Sequence, residues 1–186
     1  MKKIKFTLIA VLSALTLSSC GGGTEAANAE GFGNLEKELK SKFGDDAYYT
    51  DLTISYIESI GNVISVTATD DPESLEMGEW NLTNGDWKQT SEVTLEVPEG
   101  TEAADFMFQL KDEVSLTVLG GLVEKSIELL TKEKSIEPVL SMAFIMFPDN
   151  GDITNAKYAV KLEPKTGGTS FTYYYQLDGT FIEMDY

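Results

Sequence analysis

The residues able to do chemistry in this chain are almost all carboxylates. Thirty-one Asp and Glu stand against fourteen Lys, with no Arg, no His and one Cys in 186 positions. A serine or cysteine nucleophile normally needs a nearby base, and without His only Lys or a carboxylate can serve. No Ser-x-x-Lys or Gly-x-Ser-x-Gly element is there to supply one. Two carboxylates suffice for glycoside hydrolysis, but that chemistry wants a deep cleft that thin sheets of this length would struggle to form. No catalytic residue is therefore assigned, and no cofactor is expected. Carboxylates also hold hard cations such as calcium. The candidates are the loop Asp70, Asp71, Glu73, Glu76, Glu79 and the turn Asp149-Asn150-Gly151-Asp152. Neither has the alternating ligand spacing of an EF-hand loop, so both read as solvated acidic segments and no metal is assigned.

Recognition is the chemistry that remains. Trp80, Trp87 and the run Tyr173-Tyr174-Tyr175 can present ring faces to a sugar or a peptide. Strand alternation puts Tyr173 and Tyr175 with Phe171 and Leu177 on the core side, and Tyr174 with Thr172 and Gln176 on the outer side. Core or hairpin packing is the competing reading of the two Trp; Trp80, Trp87 and Tyr174 are the candidate anchors, with Glu76 and Glu79 as an acidic rim. Met107, Met142, Met146 and Met184 read as core fillers. Beyond residue 19, eleven Lys face thirty-one acidic residues, a net charge of about −20. Such a surface repels phosphates, which excludes nucleic acid and favours a basic protein or peptide partner.

The elements that must position these residues show in the hydrophobic spacing. Phe32, Leu35, Leu39 and Phe43 form one helical stripe, with Glu36–Lys40 and Glu38–Lys42 as i,i+4 pairs and Gly44 at the C-terminal cap position. Leu52, Ile54 and Tyr56, then Ile64, Val66 and Ala68, then Val93, Leu95 and Val97 alternate with polar residues as strands do. Gly61-Asn62 and Asn84-Gly85 mark tight turns. A longer helix is predicted over about 115–134, with Leu119, Leu122, Val123, Ile127 and Leu130 on one face; Gly120-Gly121 bends it or marks a close helix–sheet contact. Strands follow at about 137–147, 153–163, 170–177 and 180–186, with Asn150-Gly151 and Asp178-Gly179 as turns. The run from Leu140 to Phe147 is apolar on both faces and reads as a strand covered on both sides.

The N-terminus says where the protein resides. Lys2, Lys3 and Lys5 precede the apolar run Phe6 to Leu17, and Leu17-Ser18-Ser19-Cys20 follows at once. Twelve mostly apolar residues are too few to span a bilayer but suit the core of a secretion signal. The ending resembles the lipobox of bacterial lipoproteins. That resemblance implies a signal peptide at 1–19, cut before Cys20, which then carries diacylglycerol on its sulfur and an acyl chain on its nitrogen. Gly21 stands where enterobacterial lipoproteins retained at the inner membrane have Asp, which implies the outer membrane; its periplasmic or cell-surface side stays open. Residues 20–31 read as the lipidated Cys and a flexible tether. With Cys20 consumed, no disulfide can form, and the folded part must stand on its core alone.

Trp80, Asn84, Gly85 and Trp87 fall 94 residues before Tyr174, Asp178, Gly179 and Phe181, so the two halves share an aromatic-flanked turn as well as element order. The layout resembles the tandem helix-on-sheet proteins that include beta-lactamase inhibitor protein and the PepSY-like periplasmic lipoproteins, in outline over 32–186 and without a residue-level motif. The expected fold is α+β, two tandem repeats (32–100 and 101–186) of a helix packed on a four-stranded antiparallel sheet. The expected function is a non-catalytic envelope lipoprotein that binds a protein or peptide through a sheet face. The alternative is a carbohydrate-binding accessory lipoprotein.

Overall fold

A computed structural model describes residues 25–57, 59–111 and 113–186. The first helix, α1 (Ala29–Phe43), starts within the segment read as a tether, because Asn28 caps it: its side chain accepts the Gly31 N–H at 2.8 Å. Phe32, Leu35 and Leu39 are fully buried along its stripe. Gly44 ends it at φ 100°, donating its N–H to Lys40 O at 2.8 Å. The Glu36–Lys40 pair forms at 2.7 Å; the Glu38–Lys42 pair does not.

Four strands follow, β1 (Tyr48–Ile57), β2 (Gly61–Thr69), β3 (Glu76–Thr83) and β4 (Asp86–Thr94). A crossover over 95–115 leads to α2 (Leu116–Lys134) and four more strands: β5 (Pro138–Met146), β6 (Lys157–Pro164), β7 (Phe171–Gln176) and β8 (Phe181–Asp185). The ladder of β4 stops at Thr94, so Leu95 and Val97 leave the sheet, and the strand expected from 153 begins at Lys157 after a 3-10 turn.

The α+β class holds, but the strands do not make two four-stranded sheets. They form one eight-stranded sheet in the order β4-β3-β2-β1-β5-β6-β7-β8, every neighbouring pair antiparallel. The order helix-then-four-strands does occur twice, and Gly85 and Gly179 turn the matching hairpins at φ 82° and 83°. Each run of four leaves its first strand with one bare edge, and unpaired strand edges pair with what is at hand. Here β1 meets β5 through Thr53–Phe144, Ile54–Ala143 and Ser55–Met142. Farther along β1 that edge is taken by the crossover, where Tyr49 and Phe108 exchange both backbone hydrogen bonds at 2.8 and 2.9 Å.

Both helices lie on one face of the sheet. Leu52, Ile54, Ile64, Val66, Leu82, Ala143, Ile145, Val160, Leu162, Tyr173 and Tyr175 meet α1 and α2 there in a single core. The two helices touch closely at Gly120, where a Cβ would come within 2.3 Å of the Asn28 carbonyl oxygen. The glycine therefore serves a helix–helix contact, not a bend or a helix–sheet contact. Glu36 ties the halves together: one carboxylate oxygen holds Lys40, and the other accepts the Leu116 N–H at 2.8 Å and the Ser115 hydroxyl at 3.3 Å at the start of α2.

Candidate functional site

Among the described residues, the other face of the sheet carries no helix. One cross-strand row runs over all eight strands: Lys88, Asn81, Ser65, Thr53, Phe144, Ala159, Tyr174 and Glu183. A second row runs Val63, Ser55, Met142, Lys161, Thr172, Asp185. The half built from β1 to β4 is polar. There the Ser65 hydroxyl donates to Asn81 at 2.8 Å, and Ser91 donates to Glu79.

The half built from β5 to β8 is apolar at its centre. Phe144 and Met142 are partly exposed, Met146 is exposed, and Lys157 and Lys161 stand beside them on β6. Ala159 is completely buried on this helix-free side. Its cross-strand neighbours are Phe144 and Tyr174; large side chains about 5 Å away shield a methyl group without help from another layer. The strand read as covered on both sides is thus covered on one. Met142 and Met146 are surface residues of this face, while Met107 and Met184 pack inward as expected.

A small second core closes one end of the face. Met77, Ala103 and Met107 form it with Tyr48, Val93, Leu95 and Val97, drawing the crossover against β3 and β4. Beside it, burial raises the pKa of the Asp51 carboxyl, and the neighbouring Glu79 adds to the rise. Asp51 sits at the β1 bulge, two carboxylates competing for one patch of sheet.

The five candidate residues divide between the faces. Tyr174 and Glu79 lie on the open face but five strands apart, about 24 Å at the usual strand spacing. Trp80 and Trp87 lie on the helix side, their rings edge-on to Phe43 with centroids 5.6 and 5.1 Å away. The Lys42 ammonium sits 4.3 Å over the Trp80 ring, a cation–π contact. Trp87 is partly buried and lies beside Glu38, whose pKa burial raises, the indole partly offsetting this. Glu76 and Trp80 do share a cleft of about 280 Å³ with Lys42, Phe43 and Gln89. Cys20 lies outside the described residues.

The acidic turn spends its carboxylate locally. Asp152 accepts from the Thr154 N–H and hydroxyl at 3.0 and 2.6 Å and from the Asn155 amide at 2.7 Å. Among the described residues no group of three or more His, Cys, Asp or Glu is placed to hold a metal ion.

No known protein family matches the chain, and no curated protein matches it either. The site must be read from its own chemistry.

Sequence reasoning missed Phe144, Met142 and Met146. A signal for them exists on the next strand. Lys157, Ala159 and Lys161 alternate with Tyr158, Val160 and Leu162, and two lysines on one side of a strand next to β5 mark that side as wet.

Proposed function

We propose that the chain is a non-catalytic, lipid-anchored lipoprotein of the outer membrane that binds a basic protein or peptide through the open face of its sheet. The observation that carries this is the one-sided packing. Two helices cover one face, and among the described residues the other leaves Phe144, Met142, Met146 and Tyr174 with no layer over them. Apolar side chains clustered within a polar surround are the usual make-up of a recognition patch. Phe144 and Tyr174 are its aromatic anchors, and such residues carry most of the affinity. Asp51 and Glu79 on the polar half, within a domain of net charge about −20, favour a cationic partner and speed its arrival.

The anchor at Cys20 rests on the lipobox resemblance. A carbohydrate-binding function would rest on Trp80 in its cleft. There Lys42 already occupies one face of the indole, which leaves only the other for stacking on a sugar.

The test is affinity capture from envelope extract by the mature protein, compared with Phe144→Asp and Trp80→Ala. Loss of a basic protein partner with Phe144→Asp, retention with Trp80→Ala, and weaker capture at high salt are expected. Capture unchanged by Phe144→Asp sinks the proposal, and salt-independent binding of a neutral glycan lost with Trp80→Ala replaces it.

A further inference from the structure

The described chain begins at a particular end of the sheet. The Asn62 amide donates to the Glu25 backbone oxygen at 2.6 Å, and the Asn34 amide donates to the Glu25 carboxylate at 3.1 Å. Asn62 is fully buried, one residue into β2, so Glu25 is fixed beside the β1–β2 hairpin. Ala27 packs on the core just after it. Glu25 follows Cys20 by only five positions, and five chain steps reach at most about 18 Å in any conformation.

Strand direction defines two poles. Because neighbouring strands are antiparallel, the connections 59–60, 84–85, 135–137 and 165–170 lie at the pole of Glu25. Their described residues carry one acidic group, Glu137, and one lysine, Lys165. The connections 44–47, 70–75, 95–115, 147–156 and 177–180 lie at the opposite pole, and their described residues carry thirteen acidic groups against one lysine, Lys111, which pairs with Asp46. At the pole of Glu25, Tyr56 and Ile57 end β1 at 39% and 45% exposure, and Tyr186 is 79% exposed.

From these observations we infer that the β1–β2 hairpin end, with Tyr56 and Ile57, rests in the interface of the lipid bilayer while the acidic pole points away from it. The inference builds on the lipid anchor at Cys20 proposed above. The short leash holds this pole within reach of the headgroups, whose layer is several ångströms deep. Tyrosine suits that depth, its ring apolar and its hydroxyl wet. The acidic pole is repelled by anionic lipid, so both ends of the charge distribution favour one orientation. The strands then stand away from the membrane, and the open sheet face looks sideways along it, free of lipid.

The experiment uses the lipidated full-length protein in phosphatidylcholine vesicles that contain a lipid spin-labelled near the headgroup. With Cys20 acylated, Ile57→Cys and Glu99→Cys each offer one free thiol for an environment-sensitive fluorophore. Mass spectrometry of the N-terminal peptide reports acylation separately. A blue shift and quenching at position 57, with neither at position 99, is the expected result. Acylated protein whose label at 57 stays in water, or whose label at 99 is quenched instead, overturns the orientation and leaves the anchor standing. An unacylated Cys20 with no vesicle binding overturns both.

Discussion

Removing the Phe144 side chain tests the one-sided sheet directly. Ile54 and Phe144 belong to adjacent rows at the β1–β5 seam, yet they point to opposite faces. Ile54 is fully buried beneath the helices, so Ile54→Ala removes core volume and costs about 2–5 kcal/mol. Phe144 is partly exposed and belongs to neither buried cluster. Its loss removes cross-strand contacts to Thr53 and Ala159, about 0.2–1 kcal/mol. It also removes part of the burial of one aromatic side chain, about 1 kcal/mol. Phe144→Ala should therefore cost about 1–2 kcal/mol, well below the 3–5 kcal/mol expected for a phenylalanine enclosed on both sides. Urea unfolding of the Cys20→Ser protein, followed by far-UV circular dichroism, gives both numbers from one series. A loss above about 3 kcal/mol for Phe144→Ala would show that a second layer covers this face, and the proposed binding surface would go with it.

Other outcomes follow from single contacts. Glu36→Ala should destabilise by about 2 kcal/mol, the sum of a helix-capping bond at Leu116, the dipole interaction and a part-exposed pair with Lys40; a change under about 0.5 kcal/mol in urea unfolding refutes the clasp. Burial, partly offset by a hydrogen bond with the Ser115 backbone, raises the Tyr158 phenol to about 12, and burial raises Tyr49 as well. A raised phenol favours the folded state below the unfolded value near 10. Stability should hold to about pH 9.5 and then fall as pH climbs through 10 to 12. Phenolate absorbance titrating together for all eight Tyr, well below unfolding, would contradict it. Burial and Glu79 raise the Asp51 pKa, so its charged form is disfavoured in the fold; Asp51→Asn should raise Tm slightly at pH 7 and leave it unchanged at pH 3, and a lowered Tm at pH 7 would overturn this.

The elements with a strong local signal were legible. The stripe Phe32, Leu35, Leu39 and the cap at Gly44 place α1 within three residues, and the second helix starts beside Ser115 as its spacing indicates. The missing three residues are Ala29, Glu30 and Gly31, small or polar by composition, and the Asn28 that caps them packs against Gly120 some ninety positions away. The join between β1 and β5 was hidden for the same reason: nothing in either strand alone names its partner on the free edge. The candidate site was half legible. Tyr174 reads outward from alternation within one strand, which is local. Trp80 and Trp87 point to the helix side because Phe43 ends α1 above them, a contact that no periodicity encodes. Phe144 was obscured by chemistry, since an apolar strand that binds a partner and one that fills a core use the same residues.

The seam itself has a consequence for the order of assembly. Of the seven strand pairings, six join neighbours along the chain and one, β1 with β5, spans the whole of β2 to α2. Hairpins close short loops and form early; closing a loop of some ninety residues waits for the entropy to be repaid by contacts already made. Each meander with its helix is thus the unit that gathers first, and the three seam pairs are a late weld between two preformed pieces. A chain built this way can organise each half as it emerges and commit to a continuous sheet only at the end.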